Sequence, residues 1–98
     1  MLLSVVDAVD SPHGGRILRL HQVSGDPLTV QALRGARLCA RSPEGHERTF
    51  RIDHFALFGG APSNARLARS GRVDVAIIED PAAPGTPEIG LRWQVEPA

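Results

Sequence analysis

LRGARLCARSPEGHERTFRIDHFALFGG, residues Leu33–Gly60, is the stretch whose reading decides the fold. Ser42-Pro43-Glu44-Gly45 carries the residue types of a type I turn: Ser first, Pro presetting φ at the second position, Gly last. A glycine there can take the left-handed conformation of a bulge that returns the chain as a hairpin. On the first arm, Arg37–Arg41, Leu38 and Ala40 point one way and Arg37, Cys39 and Arg41 the other. On the return arm, Glu47–Phe58, Phe50 and Ile52 share a face, with Thr49, Arg51 and Asp53 opposite. The parity then slips, because Phe55 and Leu57 are odd-numbered. A bulge near Asp53-His54 brings both apolar sets to one core, as a strand must when it turns the corner of a barrel.

The flanking chain reads as shorter strands. Leu2–Val9 is rich in β-formers and is stopped by the turn-forming cluster Asp10–Gly15. Arg16–Val23 resumes with Leu18 and Leu20 on one face, up to a second turn at Ser24–Pro27. Leu28, Val30 and Ala32 alternate with Thr29, Gln31 and Leu33, which predicts a half-buried strand. Pro62–Ser70 is the helix candidate, with Pro62 suited to the first turn and Gly71 to the C-terminal cap. Arg72–Glu79 is a strand apolar on both faces, which points to a central position. Asp80–Pro87 is too proline-rich for a helix or a central strand. Beyond it, Ile89, Leu91, Trp93 and Val95 alternate strictly with polar residues and glycine, which predicts a final strand.

Together these segments give an all-β chain: a small closed or partly open antiparallel barrel of six to seven strands, with one short helix or helical turn near residues 62–70. Its 98 residues fit a single domain. Within it the expected division is a barrel core at 1–80, a Pro-rich linker at 81–88 and a C-terminal strand at 89–96 that could act as an arm.

Eleven basic residues balance eleven acidic ones, and all eleven are arginine. The absence of lysine fits a coding bias, while a guanidinium fork also suits carboxylate and phosphate recognition. The single Cys39 excludes an internal disulfide. The N-terminus lacks the basic region and long apolar core of a signal peptide, and no apolar run approaches the roughly 20 residues of a membrane span. A soluble, cytoplasmic protein with no membrane partner is the expectation.

The chemistry searched for is mostly missing. There is no GxxxxGK[ST] or GxGxxG phosphate loop and no GxSxG elbow. His13, His21, His46 and His54 fall in no HxxxH arrangement, and eight residues of strand separate the members of each neighbouring pair by about 26 Å. Neither a metal site nor a cofactor is expected. Cys39 reads as a small buried hydrophobe, and His54 beside Asp53 as a local hydrogen-bonding group at the bend rather than an acid–base catalyst. No catalytic residue is assigned and no enzyme is expected.

Charge distribution says more than the total. Arg34–Arg51 carries five Arg against two Glu, and Ala61–Arg72 carries three Arg and no acid. Residues 73–98 carry five acids and one Arg, and residues 1–10 two acids. One reading is a basic face presented to RNA or another polyanion, with Arg37, Arg41, Arg48 and Arg51 on the hairpin joined by Arg66, Arg69 and Arg72. The other is a solvated surface whose acidic C-terminal part pairs with the basic middle. With no Tyr and the phenylalanines in the core, stacking on single strands has little to use.

Four segments, GGRILRL (Gly14–Leu20), LRGARL (Leu33–Leu38), HERTFRIDHF (His46–Phe55) and LARSGRVDVAI (Leu67–Ile77), resemble in order and type the domain II β-barrel of translational GTPases such as elongation factor Tu. The resemblance covers about residues 2–79. Gly35-Ala36 lacks the family's acid, and Arg72 stands where the family often has Asp. What the resemblance implies is a closed barrel and a translation or ribonucleoprotein setting. It brings no GTPase domain, hence no nucleotide hydrolysis, and no functional residue is carried over.

The sequence thus predicts a non-catalytic barrel that binds a macromolecular partner, RNA or protein. The alternative is a self-association module in which strand 89–95 joins a neighbour's edge to form a homodimer.

Overall fold

A computed structural model describes residues 1–12, 14–56 and 63–98. Six strands close into one antiparallel barrel: β1 (Leu2–Asp10), β2 (Arg16–Ser24), β3 (Arg37–Arg41), β4 (Glu47–Phe55), β5 (Arg72–Glu79) and β6 (Gln94–Pro97). Their order around the barrel is β1-β2-β5-β4-β3-β6. Two short helices, α1 (Val30–Leu33) and α2 (Asn64–Ser70), lie in the β2–β3 and β4–β5 connections.

The β3–β4 hairpin forms as the turn residues dictate. Ser42 and His46 are joined by a backbone bond of 2.8 Å, the Gly45 amide donates to the Ser42 carbonyl, and the Ser42 hydroxyl accepts from the His46 amide. Gly45 takes φ 94°, a conformation that a side chain would strain. The parity slip is a bulge. Ile52 stands opposite Ile77, but His54 opposite Ala76 and Phe55 opposite Val75, so Asp53 is the additional residue. Phe50, Ile52 and Phe55 therefore all meet the core. A second bulge between Val5 and Asp7 does the same for β1, leaving Val6 outside and returning Ala8 to the core side. The sequence predicts a return arm as far as Phe58, whereas β4 ends at Phe55; Leu57, Phe58 and Pro62 lie outside the described residues.

Leu3, Val5, Leu18, Leu20, Leu38, Phe50, Ile52, Val75 and Val95 fill the barrel with almost no exposed area. Each fully buried aliphatic or Phe side chain contributes about 1.5–3 kcal/mol of transfer free energy, which makes this aliphatic column the principal stabilising element.

Two expectations need correcting. Residues 28–33 are not a strand. Thr29 accepts a hydrogen bond from the Ala32 amide and caps a single helical turn, which buries Leu33 completely. The hydroxyl satisfies an otherwise orphaned helix N–H, and that local bond outweighs a two-residue alternation too short to enforce itself. Nor is 89–95 a continuous strand. Arg92 takes φ 70°, Leu91 turns outward at 60% exposure, and ladder pairing begins only at Gln94. The apolar alternation records burial of Ile89, Trp93 and Val95 without recording the turn between them. The helix predicted at 62–70 is α2, capped by the Ser63 hydroxyl and ended by Gly71 at φ 64°. β5 runs between β2 and β4 and β6 between β3 and β1, so β6 is paired on both sides within its own chain.

The strand directions define the two ends of the barrel. At one end lie the β1–β2 turn, the hairpin turn 42–45 and the segment 80–93, which crosses the mouth and seats Ile89 and Trp93 as a plug. At the other lie α1 and α2, tied together because Asn64 Oδ1 accepts from the Val30 amide at 2.8 Å and Asn64 Nδ2 donates to Gln31 Oε1 at 3.3 Å. Leu28, Leu33 and Leu67 seal that end.

Candidate nucleic-acid interface

The seven arginines that the sequence groups as one basic surface fall in three places around the barrel. Arg37, Arg41 and Arg51 project from the outer face of β3 and β4, with Arg37 and Arg51 directly opposite one another. Two of them are neutralised. Arg37 pairs with Asp80, whose carboxylate also accepts from the Thr49 hydroxyl at 2.6 Å. Arg41 donates to Glu47 Oε1 from Nε at 2.9 Å and Nη2 at 2.6 Å, and its Nη1 lies 3.6 Å from Glu96. The hydrogen bond and charge of Glu47 push the Arg41 pKa further up, so this guanidinium stays charged but committed. Arg51 makes no side-chain hydrogen bond or ion pair among the described residues.

Arg48 does not belong to that face. It shares the inward parity of Phe50 and Ile52 and reaches across the mouth to the segment 80–93, donating to the carbonyls of Pro87 (2.7 Å) and Thr86 (2.8 Å). Arg16, inward-facing on β2, does the same from the other side: its Nη1 donates to the Ile89 carbonyl at 2.5 Å.

Arg66 and Arg69 sit one turn apart on α2, and Arg72 opens β5 beside it. All three are exposed, and none has a side-chain partner among the described residues. Arg34, which adds to the local charge of the sequence but stands outside that group of seven, joins them at the C-cap of α1. Its guanidinium lies 5.9 Å from the centroid of the Phe55 ring, within cation–π range, and the residue is exposed. His21, opposite Arg72 across the β2–β5 ladder, lies on the same rim. The sequence did not place Arg34 and His21 beside these arginines, because one ends α1 and the other lies in β2, and only the closed barrel brings them to one end.

Asp26, Asp53 and Asp74 lie toward the helical end, where Asp53 is held by His54 Nδ1 at 2.9 Å and Asp74 by Arg19. Asp10, Glu44, Glu47, Glu79, Asp80 and Glu88 lie at the plugged end together with Arg16, Arg41, Arg48 and Arg92. The two ends differ in pairing: Arg16, Arg41 and Arg48 are bonded to carboxylates or carbonyls, whereas the arginines of the helical rim have no such partner among the described residues.

Other chemistry finds little support in the geometry. The Asp53–His54 pair is exposed, and among the described residues no hydrogen bond joins it to a third side chain. Cys39 lies half-buried between Thr49 and Glu96; burial pushes its thiol pKa up, the Glu47 and Glu96 charges add to this, and Arg41 opposes it. A cavity of about 160 Å³ on the outer face is lined by Asp7, Val9, Ile17, Arg19 and Asp74. That is well below the roughly 300 Å³ at which small-molecule pockets begin. Arg19 and Asp74 close across it with bonds of 2.9 and 3.2 Å.

No family model, no curated protein and no solved structure matches the chain. Among the described residues no helix is long and apolar enough to cross a membrane.

Proposed function

We propose that the chain is a non-catalytic β-barrel module that binds RNA, free or within a ribonucleoprotein, through the helical end of the barrel. The observation that carries this is the contrast between two sets of arginines. Arg37 and Arg41 spend their charge on Asp80, Glu47 and Glu96, whereas Arg34, Arg66, Arg69 and Arg72 have no carboxylate partner among the described residues. Unpaired guanidiniums on one rim are what a phosphate backbone recruits, through counterion release and forked hydrogen bonds. A closed six-stranded barrel also agrees with the resemblance to translational GTPase domain II, which supports a ribonucleoprotein setting in the cytoplasm.

The test is fluorescence anisotropy with a labelled single-stranded RNA between 50 and 200 mM salt. Binding should weaken with salt, with a log–log slope of about −0.7 for each phosphate contacted on a single strand. Replacing Arg66, Arg69 and Arg72 by Gln should lower that slope by about 2. Arg37→Gln with Arg41→Gln should leave it unchanged. Binding that is absent at 50 mM salt, or lost equally in both variants, would sink the assignment.

A further inference from the structure

We infer that the chain carries an exchangeable closing strand: β6, with the segment 80–93 as its tether, can leave its own barrel and complete the barrel of a second copy. This stands independently of the RNA reading, since it uses the opposite end of the barrel and the β1–β3 gap.

Three observations carry it. The first is the ladder. β1 is matched to β2 over eight positions, but to β6 only at Leu3↔Val95 and Ser4↔Gln94. β3 adds four positions, from Leu38↔Pro97 to Arg41↔Gln94, and Val5 exchanges backbone bonds with Trp93 and Arg92 just outside the strand. The closing seam is the shortest in the barrel.

The second is the latch. The tether has no strand or helix of its own, and Arg16 and Arg48 fasten it by bonds to the carbonyls of Thr86, Pro87 and Ile89. The fastening is incomplete. Glu79 Oε1 and Arg16 Nε are both buried without a hydrogen bond among the described residues, Arg16 Nε having only the charge of Asp10 at 3.6 Å. Buried polar atoms left unmatched lower the cost of letting the segment go.

The third is reach. With Ile89 taking the same seat in the neighbour, the free span is residues 80–88. Extended, these nine residues cover about 30 Å, matching the intermediate 30 Å dimension of the molecule. β6 can therefore enter a neighbouring barrel whose plugged mouth faces its own without any other strand moving. Ile89, Trp93 and Val95 would fill the same positions there, so the core is conserved, and reciprocal exchange closes a two-fold dimer. A flexible tether sets an effective concentration on the order of millimolar, so dilute protein stays closed on itself and concentrated protein exchanges.

Cys39 provides the reporter. It stands directly opposite Glu96 across the β3–β6 ladder, at a separation a disulfide can bridge. Glu96→Cys, incubated at a series of concentrations and then oxidised with diamide, links β6 to whichever β3 it occupies. In dilute samples the product should be a monomer with an internal bond between Cys39 and the introduced cysteine. As concentration rises toward millimolar, covalent dimers should increase about in proportion, with Cys39 of one chain bonded to the introduced cysteine of the other, identified by unreduced mass and peptide mapping. Cys39→Ser with Glu96→Cys should abolish these crosslinks. Internally linked monomers alone at every concentration, or dimers joined only through two copies of the same cysteine, would overturn the inference.

Discussion

Cys39 shows how a strand position settles the chemistry of a side chain. Lying on the outward face of β3, half-covered and near Glu47 and Glu96, its thiol is held above its ordinary value of 9.0 mainly by burial. A raised folded-state pKa means that the native state retains the proton more tightly than the unfolded chain. The associated stability is fully present below about pH 9 and is lost as pH rises through the folded value. Alkylation by iodoacetamide at pH 8 should accordingly be slower for the native protein than for the urea-unfolded chain. Denaturation midpoints should fall above pH 9 by more in the wild type than in Cys39→Ser. Equal alkylation rates in the two states would contradict this assignment. Arg48 teaches a related lesson: its even number already placed it with Phe50 and Ile52, but charge alone grouped it with Arg51. At the mouth of a barrel an inward arginine is tolerable because main-chain carbonyls satisfy its donors.

At the scale of elements, the β4 bulge makes a discriminating prediction. Asp53 and His54 together oppose Ala76, so deleting Asp53 leaves Ile52 opposite Ile77 and Phe55 opposite Val75. The variant should fold, losing about 0.5–3 kcal/mol with the bend, as measured by urea denaturation. Deleting Thr49 instead shifts one side of a regular ladder and turns core residues outward, and that chain should show no cooperative transition. If both deletions were equally tolerated, the bulge would have no role in register. The bulge, the hairpin turn and α2 were all legible in the sequence because their signals are local: a parity break, Ser-Pro-Glu-Gly, and Pro62 ahead of a Gly71 stop; the Ser63 cap itself was not read. Residues 28–33 and 89–93 mislead for a common reason. Apolar alternation reports which side chains are buried, and a helical turn capped by Thr29 or a reversal at Arg92 can produce the same pattern as a strand. Of the basic rim, Arg66, Arg69 and Arg72 were legible as a charged run without acids, but not that they stay unpaired or that Arg34 joins them, since which carboxylate reaches which arginine is decided by strand order around the barrel.

At the scale of the whole molecule, the proposed RNA surface and the proposed exchange strand draw on opposite ends of the same cylinder, the unpaired arginines on the helical rim and the tether at the plug. The seam at Leu3↔Val95 has one more consequence, for how the fold is reached. The two halves of that pairing are separated by nearly the full length of the chain, and β5 must also be inserted between β2 and β4 before the circle can close. Local hairpins can form early, but the barrel gains its full cooperativity only when the most distant segments meet. Stopped-flow refolding monitored through Trp93, which is buried beside that seam, should therefore proceed in milliseconds to seconds, as for other chains dominated by non-local pairing. During synthesis, closure has to wait until Val95 has left the ribosome, so between the emergence of Glu79 and that of Val95 the nascent chain can form only an open sheet with β1 and β3 unpaired on one side.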